Sequence, residues 1–207
     1  YFKTSKLKLI RNNSKNFTFY FVPFFCGLLS TLSLPPYNFF YLNFISFPFL
    51  LLSYFRLEIK KGFSSFVYGW IFGFAYFLSN IYWIANSLTV EEIFKPLIPL
   101  AITIIPLFLG IFYGISFLIF FYFKPKKKIE NIFLFALIFS FIEYLRGHTL
   151  GGFPWNLISF SLVEINQFIQ ILSYVGTYSF NLIVVTIFLI PSVILFEITT
   201  KEKILTI

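Results

Sequence analysis

Methionine and aspartate are missing altogether from the 207 residues, and cysteine and histidine occur once each, as Cys26 and His148. A single cysteine excludes a disulfide scaffold. One histidine, with Glu143 as a weak second ligand at best, is too little for a metal centre. Charge is scarce as well: 12% of residues are charged, about half the share usual in a soluble domain. That balance excludes a soluble globular enzyme and a disordered chain. No glycine-rich phosphate loop is present, and no cofactor is expected. The missing methionine carries the expectation that the sequence starts inside a longer precursor or lacks its start.

What is there is apolar. Hydrophobic residues make up 58% of the chain and the mean hydropathy is +0.86. Phe alone accounts for 34 positions. Phe, Ile, Lys and Asn share A/T-rich codons, so part of that excess reads as nucleotide bias and not as an aromatic binding surface. The fold class expected is all-α: a polytopic transmembrane helix bundle in a lipid bilayer.

Uncharged runs mark the spans, because a charge at the bilayer centre costs roughly 2.5–3.5 kcal/mol on insertion scales. The run from Asn16 to Phe55 is about twice the ~20 residues one span needs. Pro35-Pro36 near its middle predicts a hairpin, with helices near 17–34 and 39–55. Gly62 to Val90 predicts a third helix. Pro96 to Phe123 predicts a fourth, kinked at Pro106, and Ile129 to Leu145 a shorter fifth. Ile165 to Phe196 is long enough for an entry turn and a sixth. About six spans are expected.

Orientation follows from the cations. Of the 16 basic residues, 14 fall in the N-terminal arm, the loops after the second and fourth helices, and the C-terminal tail. Only Lys95 and Arg146 fall on the other face. The N-terminus is therefore expected in the cytoplasm. The excess of +8 reads as a topology signal that can also touch anionic headgroups, with no nucleic-acid partner. The expected organisation is a basic cytoplasmic arm at 1–16, a transmembrane domain at 17–196 with an outer-face loop at 147–164, and a tail or link at 197–207.

Catalytic chemistry is sparse. Cys26 sits among Phe24, Phe25 and Leu28, where a thiol stays neutral and inert. The Gly69–Gly73 and Gly110–Gly114 pairs leave flat strips where two helices can approach, with a lipid-chain groove as the other possibility. The segment Asn80-Ile-Tyr-Trp-Ile-Ala-Asn-Ser87 fits an interfacial belt, or a polar patch that meets a headgroup. The sharpest constellation is Glu143 and Arg146, at i and i+3 and able to pair, followed by Gly151, Gly152, Phe153, Pro154 and Trp155. An anchoring loop and a functional loop both fit that chemistry.

The ordered set Leu34-Pro-Pro-Tyr37, Gly69-x-x-x-Gly73, Tyr82-Trp83-Ile84, Glu143-Tyr-Leu-Arg146-Gly147, Gly152-Phe-Pro-Trp155 and Tyr174-x-Gly176-x-Tyr178 resembles the membrane domain of bacterial apolipoprotein N-acyltransferase. The resemblance implies a multi-pass protein of the bacterial cytoplasmic (inner) membrane. It implies transfer of an acyl chain from a phospholipid donor to the N-terminal diacylglyceryl-cysteine of an apolipoprotein acceptor. In that family a nitrilase-like domain with a Glu-Lys-Cys triad does the bond-making, by a thioester intermediate. No such domain or reactive cysteine is present here. The expectation is a membrane platform, inactive alone, with a seventh span and the catalytic domain after Ile207. The residues expected to contact a headgroup, or to support that face, are Glu143, Arg146, Gly152, Phe153, Pro154 and Trp155. The other readings are a small polytopic transporter and a non-catalytic membrane subunit. Neither mid-span charge nor an inverted repeat favours transport.

Overall fold

The structure, a computed structural model, describes residues 2–125, 127–149 and 156–195, with the backbone alone for 2–14 and 128. The described residues are helical and contain no strand. Seven α-helices follow in order: α1 (Phe2–Thr31), α2 (Asn43–Arg56), α3 (Gly62–Asn80), α4 (Ile98–Phe123), α5 (Lys128–Thr149), α6 (Asn166–Val175) and α7 (Thr177–Leu189). Short 3-10 segments lie at Phe40–Leu42, Tyr82–Thr89, Glu92–Leu97 and Ile158–Leu162. Two helical stretches, Glu92–Phe123 and Thr177–Leu195, are long and apolar enough to cross a membrane.

Side-chain contacts set the helix directions. Ser30 meets Ser46 at 2.7 Å and Asn43 donates to Ser33 at 2.8 Å, so α2 returns antiparallel along α1. Thr31 reaches Ser79 at 3.0 Å and Gly27 lies against Ala75, so α3 runs parallel to α1. Ser65 donates to the Phe117 carbonyl at 2.7 Å and Trp70 to that of Leu107 at 2.9 Å, which turns α4 back along α3. The rings of Tyr113 and Phe139, and of Phe120 and Phe135, place α5 antiparallel to α4. Tyr144 against Tyr178, with Asn181 donating to Ser140 at 3.4 Å, does the same for α7 on α5. Alternation of direction brings Lys15, Arg56, Lys60, Lys61, Lys124 and Lys127 to one end of the bundle.

The paired glycines form the α3–α4 seam. A Cβ on Gly73 would stand 2.9 Å from the Gly110 Cα, closer than real Cβ contacts allow. The packing expectation for these motifs therefore holds, and backbone meets backbone as in small-residue membrane interfaces. The core beside the seam is aromatic. Phe47, Phe72, Tyr76, Tyr113, Phe117, Phe135 and Phe139 are fully buried, with the Tyr113 and Phe139 centroids 4.6 Å apart. Phenylalanines thus supply a large part of this core, although others lie exposed on the outer surface.

Four boundaries differ from those expected, the first being α5, which runs past Leu145 to Thr149 and makes 147–149 of the expected outer loop helical. Residues of the basic arm continue α1, since Lys and Leu are good helix formers and neither Pro nor Gly interrupts them. The third helix stops at Asn80, not Val90. Beyond it Ser87 and Thr89 donate to the carbonyls three residues earlier, at 2.7 Å each, and hold the chain in 3-10 geometry. The sixth run is divided at Gly176, whose φ of +79° suits glycine and separates α6 from α7.

Candidate functional site

The end of the bundle opposite the lysines carries the unusual chemistry. Glu143 and Arg146 lie near the end of α5, one turn apart, with 0% and 1% of their side chains exposed. Arg146 Nε donates to Glu143 Oε2 at 3.1 Å, and Nη2 donates to the same oxygen. The guanidinium carbon lies 5.1 Å from the centre of the Phe77 ring, which adds a cation–π contact. The pair sits against Tyr76 and Tyr113, both fully buried. Tyr113 faces the carboxylate, yet neither its hydroxyl nor Glu143 Oε1 makes a hydrogen bond of normal geometry among the described residues.

Tyr76 connects this buried charge to a cavity. Its hydroxyl donates to the Asn156 carbonyl at 2.8 Å, across 80 positions of sequence. The Asn156 amide in turn reaches the Asn80 carbonyl at 3.5 Å. Asn80 and Asn156 line a cavity of about 390 Å³. Its walls come from Leu34–Tyr37, between α1 and α2, and from Tyr82, Trp83, Phe160 and Val163. Thr31 and Ser79 give it hydroxyls. Tyr37, Tyr82 and Trp83 are about half exposed at the rim. Asn38 donates to Glu164 Oε1 at 2.7 Å and ties the Pro-Pro turn to the chain beyond Asn156.

A second cluster lies beside it. The His148 ring stacks near Tyr144 at 4.1 Å and Tyr178 at 5.3 Å, and its Nδ1 is 2.8 Å from the Tyr144 carbonyl. Cys26 is fully buried, and its carbonyl accepts a bond from Ser46. No nucleophile with an adjacent base is assembled among the cavity residues, so this arrangement can hold and orient a ligand with polar and apolar parts.

Of the residues singled out by sequence, Glu143 and Arg146 come together as their spacing suggests. Gly151, Gly152, Phe153, Pro154 and Trp155 lie outside the described residues. Asn80, Tyr82 and Trp83, which fit an interfacial belt or a headgroup-facing polar patch by sequence, line the cavity. Tyr76, Tyr113, Thr31 and Asn156 escaped the sequence reading. One signal was present: Tyr76 and Asn80 are i and i+4, on one helix face with Gly69 and Gly73.

The fold and this end of it define a helix-bundle platform with an amphipathic cavity backed by a buried ion pair. Residues 26–190 match the family model of the apolipoprotein N-acyltransferase N-terminal domain, and the chain belongs to that family. Apolipoprotein N-acyltransferase of Sinorhizobium medicae is 34% identical over 184 residues, covering 84% of this chain and 34% of its own length. The enzyme of Rhizobium meliloti is 32% identical over 187 residues, again covering 84% and 34%. That of Rhodopseudomonas palustris is 33% identical over 174 residues, covering 82% and 32%. The chain spans about a third of the length of these curated relatives.

Proposed function

We propose that the chain is the membrane domain of a lipoprotein N-acyltransferase of the bacterial inner membrane. In this reading it holds lipidic substrates for acyl transfer from a phospholipid to the diacylglyceryl-cysteine of an apolipoprotein. The observation that carries it is the cavity. Motif segments far apart in sequence, Leu34–Tyr37 and Tyr82–Trp83, converge there beside Asn80 and Asn156. A volume of about 390 Å³ with aromatic rim and polar floor suits a headgroup and the start of its chains. Bond-making belongs to a Cys-bearing domain outside these residues, and the six-helix portion alone is inactive.

In the same reading α1 to α5 and α7 are six spans, and the end with the lysines faces the cytoplasm. Outward-facing Phe133, Leu137 and Phe141 on α5 are 54–60% exposed, an apolar stripe that lipid would cover. The arm at 1–16 and the tail at 197–207 are cytoplasmic, 17–196 is the membrane domain, and 147–164, from the last turn of α5 onward, lies on the outer side. Glu143 and Arg146 support that segment, and Gly152, Phe153, Pro154 and Trp155 contact a headgroup.

The test uses membranes containing the protein with its natural flanking sequence, a fluorescent-acyl phospholipid and a diacylglyceryl lipopeptide. Asn80→Leu with Trp83→Ala should slow acyl transfer at least about tenfold, the scale of losing one or two oriented contacts. Unchanged transfer in that variant would remove the cavity from the substrate path. Cysteine placed at Tyr37 should react with an impermeant reagent from outside, and cysteine at Lys60 should not. The reverse pattern would overturn the orientation.

A further inference from the structure

A second cavity, at the opposite end, has the chemistry of a phosphate site. It measures about 260 Å³ and lies between α1 and α2. Lys15 comes from α1, and Arg56 is the last residue of α2. The antiparallel register that pairs Ser33 with Asn43 and Ser30 with Ser46 carries these two cations to the same end of the bundle, where both line the cavity. Below them Thr18 and Ser53 line the wall, and Val22 and Phe49 make its apolar part. No carboxylate is among the described residues that line it.

We propose that this cleft binds one anionic phospholipid, with its phosphodiester between Lys15 and Arg56 and its glycerol and first methylenes against Val22 and Phe49. Arg56 offers the planar fork that matches phosphate oxygens, and Lys15 a mobile point charge. Arg56 also closes α2, whose C-terminal carbonyls carry partial negative charge. Two cations, not one, are then needed to make the mouth attractive to an anion. The order of groups, charge at the mouth and apolar wall behind, repeats the order of a lipid from headgroup to tail. A free phosphate ion would satisfy the cations and leave the apolar wall without a partner. The site rests on membrane residence but not on acyl transfer, and it lies at the other end from the substrate cavity.

The experiment uses the protein with its natural flanking sequence in phosphatidylcholine nanodiscs, titrated with fluorescent phosphatidylglycerol. Lys15→Gln with Arg56→Gln should weaken phosphatidylglycerol binding by roughly twenty-five-fold, the product of about fivefold for each cation removed near the surface. Lys60→Gln with Lys61→Gln removes the same net charge beside the cleft and should weaken it about threefold or less. Arg56→Lys should fall between wild type and the double variant, because the charge stays and the fork goes. Equal losses in the two double variants would reduce the site to general surface electrostatics and overturn the proposal. So would displacement of the lipid by millimolar inorganic phosphate, which would make the ligand a free anion. Matching melting temperatures for both double variants show that a loss is not unfolding. In the Asn80→Leu, Trp83→Ala background, where the substrate cavity is impaired, Lys15→Gln with Arg56→Gln should cause the same further loss of phosphatidylglycerol binding, so failure of the acyl-transfer reading shows separately.

Discussion

The two ends of the bundle handle charge in opposite ways. At one end Lys15, Lys60 and Lys61 stay exposed, where water or headgroups solvate them. At the other, Glu143 and Arg146 are withdrawn from solvent and given to each other. Exposed cations cost little to keep and little to lose. A buried ion pair is expensive to desolvate, and more expensive to break than to replace whole. The first arrangement tolerates change and can orient a helix bundle. The second fixes a geometry, here the spacing of α5, Phe77 and Tyr76 behind the cavity.

The largest expected effect comes from breaking that pair. Arg146→Ala or Glu143→Ala alone should destabilise by about 3–5 kcal/mol, because the remaining charge is stranded. Glu143→Leu with Arg146→Met should be milder than either. Thermal melting in detergent decides it. Additive losses in the double variant would mean the two residues act independently. Loss of any one lysine at the other end should stay within about 1 kcal/mol.

Next is the seam that joins the two ends. Gly73→Val drives a branched side chain into the Gly110 backbone and should cost about 1–3 kcal/mol, since overpacking is resisted by both helices. A melting temperature equal to wild type would show that α3 and α4 can slide apart freely.

A smaller change tests the link to the cavity. Tyr76→Phe removes the bond to the Asn156 carbonyl and should cost about 1 kcal/mol of stability. In the acyl-transfer assay it should slow turnover more than Tyr54→Phe, whose hydroxyl bonds Ser65 away from the cavity. Equal effects would make Tyr76 a general packing residue.

The smallest effect concerns Lys124 at the basic end. Partial burial pushes its amine below the ordinary value of 10.5. Its Nζ lies 4.9 Å from the Phe121 ring centre and 5.7 Å from that of Tyr54, which offsets part of the cost. Lys124→Met should therefore be near neutral at pH 7. The folded state binds fewer protons than the unfolded one as pH rises toward 10.5, so wild type should gain on the variant there. A gap that widens against wild type with rising pH would reverse the assigned sign.

Much of the fold was legible because its signals are local. Proline pairs, uncharged runs and glycine spacing act within a few residues, and they anticipated the α1–α2 hairpin, α4 with Pro106 inside it, and the α3–α4 seam. Glu143 and Arg146 were legible for the same reason, lying one turn apart on one helix. The end of α3 was misjudged because apolar content alone cannot separate α-helix from 3-10 geometry. There Ser87 and Thr89 bond their own backbone and change the outcome.

Composition and pattern alone make the chain helical, apolar and divided into a basic side and a nearly uncharged side. Period and composition are sums over neighbouring residues, and they need no knowledge of what a helix meets. Only the tertiary structure decided which residues share a wall. Tyr76 and Asn156, or Asn38 and Glu164, meet across 80 and 126 positions because helix packing brings their ends together. The same packing placed Asn80 and Trp83 in the lining of a cavity. It also buried Glu143 and Arg146 under Phe77, so that a pair which on an exposed helix face would contribute little became one that cannot be broken cheaply.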